Sequence, residues 1–125
     1  MKQAPKADPA SRGKWAESVA EDFLRGKGLE TLQANYRCPH GELDLVMRDG
    51  STLVFVEVRY RQSGNYGSGA DSVTGSKQQR MIASAQHYLQ HTSASGELPC
   101  RFDVVAISKK PDNPEIDWIK DAFDA

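Results

Sequence analysis

Apolar residues recur at helical spacing between about Gly13 and Arg25, where Trp15, Val19, Phe23 and Leu24 form one stripe. This predicts a first helix, with Ser11 as a candidate cap and Gly26 and Gly28 as a stop. Residues 1–12 are polar and proline-bearing and read as a flexible tail, which leaves 13–125 as a single domain. Leu29 to Arg37 reads as a strand. Glu42 to Arg48 and Thr52 to Arg61 are rich in Val, Leu and Phe, and the Asp49-Gly50 dipeptide between them predicts a hairpin. Gln62 to Ser72, with three glycines and Tyr66, reads as a mobile loop.

Helical spacing returns from Gly75 to Gln90, where Met81, Ile82, Ala85, Tyr88 and Leu89 share a face. Thr92 to Gly96 is a linker. Arg101 to Ser108 is an apolar strand, Asp112 to Pro114 a turn and Ile116 to Ile119 a short edge element. The tail to Phe123 reads as one helical turn. The order αβββαβ predicts an α/β fold with a central mixed sheet flanked by helices.

Composition narrows the function classes. A chain of 125 residues with 38% hydrophobic and 26% charged residues suits one globular domain. No apolar run approaches a membrane span, and the N-terminus lacks the apolar stretch of a signal peptide. Two cysteines, Cys38 and Cys100, do not make a disulfide scaffold. The expected setting is the cytoplasm, without membrane association. A net charge of −1 excludes coating nucleic acid by bulk charge alone. It leaves room for a nuclease in which a metal and a few arginines supply local positive charge.

The candidate chemistry lies in the hairpin. A two-residue turn at Asp49-Gly50 would set Asp44 opposite Phe55 and Glu57 opposite Glu42. Asp44 and Glu57 are then diagonal neighbours on one face, with Arg59 beside them. A three-residue turn would move Glu57 to the other face unless a bulge restored it. Converging carboxylates repel and call for a cation, and hard oxygen donors suit Mg²⁺ or Mn²⁺. Glu17 and Glu21 lie on one face of the first helix, and either is a candidate third acid or a solvated charge.

Asp44 followed by Glu57-Val58-Arg59 resembles the PD-(D/E)xK motif of restriction-endonuclease-like nucleases. A longer string resembles the YraN family of small bacterial proteins: Ala16-Glu17, Gly41-Glu42-Leu43-Asp44-Leu45, Val54-Phe55-Val56-Glu57-Val58-Arg59, Lys77 with the helix after it, and Arg101-Phe102-Asp103-Val104-Val105. That family is similar in fold to archaeal Holliday-junction resolvases. The resemblance implies a restriction-endonuclease-like fold and a metal-dependent nuclease acting on DNA, branched or structured DNA included. It implies metal ligation by Glu17, Asp44 and Glu57, with Arg59 where lysine is usual, and a homodimer, since a junction is cut twice. Arginine stays protonated, so Arg59 can hold a phosphate but cannot act as a base. The alternatives are a catalytically silent nucleic-acid-binding module and a protein-interaction adaptor.

Lys77, Arg80 and Arg61 are candidate phosphate contacts, with a solvated face as the plain alternative. Cys38-Pro39-His40 has the form of half a zinc site, without a second pair in the sequence. His87 and His91 are one helical turn apart, a spacing that binds metal, but no third ligand is evident and they read as surface histidines. Asp103 reads as a residue that ends or pairs within the sheet.

Overall fold

The computed structural model describes residues 9–61, 73–92, 98–108 and 115–125, with backbone alone at 9–12 and 61. Helix α1 (Pro9–Gly26) is followed by strands β1 (Glu30–Cys38), β2 (Gly41–Asp49) and β3 (Thr52–Arg61), helix α2 (Gly75–His91), and strands β4 (Cys100–Ser108) and β5 (Ile116–Phe123). The sheet order is β1-β2-β3-β4-β5. All neighbours are antiparallel except β3 and β4, which α2 joins as a parallel pair. This is the expected α/β fold, consistent with a restriction-endonuclease-like core.

Both sheet faces are covered, which is why β3 reads as a continuous apolar run rather than an alternating one. Val54 and Val56 face α1 and pack with Trp15, Ala20 and Leu24. Leu53 and Phe55 face α2 and pack with Met81, Ala85 and Tyr88.

Three elements differ from expectation. Helix α1 begins at Pro9 and runs through Ser11, so Ser11 does not cap it. The hairpin turn is Gly50-Ser51, with Asp49 paired to Thr52. Gly50 has φ +62 at the first central position, where a two-residue hairpin loop can demand glycine. The segment to Phe123 is strand rather than a helical turn, because its ladder to β4 resumes at Phe102↔Phe123 past an irregularity. Asp121 sits there at φ +52. The expected loop at Gln62 to Ser72, including Tyr66, the linker at Thr92 to Gly96 and the turn at Asp112 to Pro114 lie wholly or largely outside the described residues, as does most of the expected N-terminal tail.

Candidate metal centre

The actual register brings the two motif acids closer than the expected one. Leu45 pairs with Val56 and Val46 with Phe55, and the same register sets Asp44 across from Glu57 rather than diagonal to it. Strand alternation breaks at this point. Leu43 packs into the α2-side core and Leu45 into the α1-side core, although they are two residues apart. On β1 the break is matched at Asn35, which has φ +55 and lies between the pairs Ala34↔Leu45 and Tyr36↔Leu43. Asparagine tolerates this left-handed conformation. The distortion turns Asp44 so that its Oδ2 accepts the Val58 N–H at 2.8 Å.

Glu17, from α1, and Glu42 join Asp44, and carboxylate oxygens of the three lie within 4.8 Å of one another. Asn35 binds this group together. With its amide turned to donate, Nδ2 is 2.7 Å from Glu42 Oε1 and 2.9 Å from Glu17 Oε1. The rival acid Glu21 is used elsewhere, accepting from Thr31 Oγ1 at 2.8 Å.

Glu57 is 3% exposed and answers two cations. Its Oε2 lies 2.6 Å from Lys77 Nζ and 3.5 Å from an Arg59 guanidinium nitrogen. Among the described residues the carboxylate cluster is therefore Glu17, Glu42 and Asp44, and Glu57 stands beside it as the anchor of Lys77 and Arg59. Lys77 is fixed at the start of α2, where Thr74 Oγ1 caps the helix by accepting the Lys77 N–H at 3.2 Å.

These acids border an open cleft lined by Gly41, Glu42, Asp44, Glu57, Lys77, Arg80 and Met81. Burial raises the Asp44 carboxyl to about 8, with the charge of Glu57 as the next cause and Glu17 adding to it. Burial also raises Glu17, followed by repulsion from Glu42, while the Asn35 amide opposes the shift. Hard oxygen donors whose ionisation is opposed by burial and by one another fit a divalent cation such as Mg²⁺ or Mn²⁺.

Of the expected residues, Glu17, Asp44, Glu57, Arg59, Lys77 and Arg80 converge on this region, and the Arg61 side chain lies outside the described residues. Glu42 and Asn35 were not among the sequence candidates. The signal for Glu42 was its place two residues before Asp44. For Asn35 it was an asparagine inside a strand, where that residue is disfavoured.

Asp103 is structural. It is fully buried and accepts from the Arg101 guanidinium at 3.0 to 3.3 Å, from Trp118 Nε1 at 2.9 Å and from the Asp121 N–H at 3.0 Å. It thereby ties β4 to β5 at the irregular step between them.

The model of uncharacterised protein family UPF0102 matches residues 16–107. A UPF0102 protein of Nitrosococcus oceani is 48% identical over 123 residues, covering 98% of this chain and 97% of the relative. One from Nitrosomonas europaea is 49% identical over 114 residues, covering 91% and 94%. One from Saccharophagus degradans is 50% identical over 111 residues, covering 89% and 91%.

Proposed function

The chain belongs to the uncharacterised protein family UPF0102, the family its sequence resembles under the name YraN, and we propose that it is a metal-dependent nuclease-like protein that hydrolyses phosphodiesters in DNA, with branched or structured DNA as the substrate class. One observation carries the reading. Three carboxylates gather on one side of a cleft while Lys77 and Arg80 line it from α2. Acids to hold a cation and bases to hold a phosphate are what phosphodiester hydrolysis requires of a site.

Glu17, Glu42 and Asp44 would hold Mg²⁺ or Mn²⁺, with Glu57 within reach as a further ligand. Bound there, the metal would supply a water of lowered pKa and stabilise charge on a phosphoryl oxygen. Glu57 pairs with Lys77, which lines the cleft, and with Arg59 beside it, so both cations are held near the site without needing to be ordered by substrate. Arg59 keeps its charge at any working pH and presents a planar fork to phosphate oxygens. Lys77 provides the ammonium that the usual lysine position, occupied here by arginine, does not. Arg80 adds a second phosphate contact from α2.

A homodimer and a cytoplasmic setting belong to the same reading. The dimer rests on fold analogy to resolvases, and sedimentation equilibrium reads it directly. Among the described residues no helix is long and apolar enough to cross a membrane.

The test is cleavage of labelled linear, single-stranded, flapped and four-way-junction DNA with Mg²⁺ or Mn²⁺. Cutting by the natural chain should fall by at least about a hundredfold in Glu57→Ala and in Lys77→Met, the scale of losing one electrostatic group from such a site. Cutting that appears only in Arg59→Lys would identify a silenced binding module. No cutting by any variant, with no DNA binding, would leave the adaptor reading.

A further inference from the structure

Residues of opposite charge face each other near both ends of the β1–β2 ladder. Glu30 stands across from Arg48, and Arg37 across from Glu42. The two pairs are made differently. Arg48 Nη2 donates to Glu30 Oε2 at 2.8 Å. Arg37 Nε lies 3.6 Å from Glu42 Oε2, too long for a hydrogen bond. The Arg37 side chain is 79% exposed, so its guanidinium keeps most of its water and most of its freedom. An exposed pair of this kind adds little stability and is easily exchanged.

Its partner is not an ordinary surface acid. Glu42 gathers with Glu17 and Asp44. The Asn35 amide, turned to donate, holds Glu42 Oε1 at 2.7 Å, and Glu42 Oε2 faces Arg37. The charge of Arg37 also reaches Glu17: burial and then Glu42 raise that carboxyl, and Arg37 is among the groups that lower it. Arg37 therefore balances in part the charge that a cation at these acids would balance. A divalent ion carries twice that charge and takes carboxylate oxygens directly. Once such an ion holds Glu42, Arg37 loses its attraction there and is repelled by the ion. Its planar fork then suits the next anion to arrive, a phosphate. Lys77 and Arg80 come to the cleft from α2, whereas Arg37 comes from the edge strand β1, so a bound strand would be held from two elements.

We propose that Arg37 is a metal-gated phosphate clamp, paired with Glu42 when no cation is bound and turned to a DNA phosphate when a divalent ion takes that carboxylate. The proposal rests on the reading of the cleft as a metal and DNA site and adds an order to it, metal before DNA. The same residue opposes the metal and favours the DNA, so one substitution should move the two affinities in opposite directions. By linkage, Arg37 also carries part of the coupling between the two ligands.

The full chain is titrated with Ca²⁺ by calorimetry, and with labelled four-way-junction DNA by fluorescence anisotropy in chelator and in saturating Ca²⁺. Arg37→Ala should tighten Ca²⁺ binding by about two- to fivefold, the scale of an exposed ion pair. In Ca²⁺ it should weaken DNA binding by about tenfold and make the log–log salt slope shallower by about one, as for one lost charged contact. In chelator it should change DNA binding little. Glu42→Gln frees Arg37 without metal, so in that background Arg37→Ala should cost DNA affinity in chelator as well, which a double-mutant cycle reads. Arg48→Ala, at the other pair of the same ladder, should change neither affinity, and circular dichroism checks the fold of every variant. Ca²⁺ binding weakened by Arg37→Ala would overturn the proposal, as would DNA binding in Ca²⁺ left unchanged. If Lys77→Met weakens DNA binding in Ca²⁺ and Arg37→Ala does not, the clamp falls and the cleft reading stands. No DNA binding by the natural chain in Ca²⁺ would remove both.

Discussion

Asp44 sits where burial and a facing carboxylate both oppose its charge, so the folded protein without metal holds a proton there up to about pH 8. An unfolded aspartate releases it near pH 4. The sign follows: this group's contribution to stability is full below pH 4 and is lost as pH rises to about 8, at no more than about 1.4 kcal/mol per pH unit. A divalent cation at the carboxylates favours the ionised form and reverses the trend. Urea denaturation from pH 5 to 9, after chelation and then with MgCl₂, should show stability falling with pH in the first case and a Mg²⁺ gain that grows with pH in the second. Asp44→Asn should flatten the first curve and remove most of the second effect. Identical pH profiles for the two chains would show that Asp44 ionises normally. Asp44 and Glu57 were legible in the sequence because each is an acid inside an apolar strand. The division of labour between them was not. It depends on Lys77 and Arg59 reaching Glu57 and on Glu17 and Glu42 reaching Asp44, which are tertiary contacts.

Strand β1 carries the distortion that sets this geometry, and it does so through Asn35. Two properties of that residue are separable. Its backbone occupies φ +55, and its amide joins Glu17 to Glu42. Asn35→Gly keeps the first and loses the second, while Asn35→Ala loses both. The alanine variant should be less stable than the glycine variant by about 1 kcal/mol, the cost of a left-handed backbone with a Cβ. Both should weaken Mg²⁺ binding, because the two glutamates lose their shared donor. Denaturant midpoints and Mg²⁺ titrations on the pair decide it, and equal stability would show that β1 relaxes to an ordinary strand. At this scale the sequence was informative about which elements exist and less so about how they join. The hydrophobic pattern located both helices and the first four strands. It placed the hairpin turn one residue early, since Asp-Gly is a good turn at either offset and only the burial of both faces fixes the register. It missed that β5 continues to Phe123, because its Lys120-Asp121 step is polar and the strand is held by Asp103 and the resumed pairing at Phe102.

Charge has to be weighed over the whole molecule. A chain of net charge −1 has little general attraction for a polyanion, and its cleft holds four carboxylates against a few cations. Arg59 and Lys77 are already partly neutralised by Glu57. DNA brought to this cleft without metal meets the acids around Asp44, Glu17 and Glu42 among them, at close range, so a cation at the carboxylate cluster is needed for affinity as well as for chemistry. Fluorescence anisotropy with a junction DNA should therefore show weak binding in chelator and at least tenfold tighter binding with Ca²⁺, which occupies carboxylate sites and commonly does not support cutting. The salt dependence should be shallow, with a log–log slope of about −2 to −4, as expected when only Arg59, Lys77, Arg80 and few others meet phosphates. Near neutral pH, Asp44→Asn should narrow the gap between chelator and Ca²⁺ from the Ca²⁺ side, because it removes a ligand while the metal-free Asp44 is already protonated and carries no charge to lose. Tight binding in chelator with a steep salt slope would place the contact surface elsewhere on the molecule and favour a DNA-binding module over a metal-dependent nuclease.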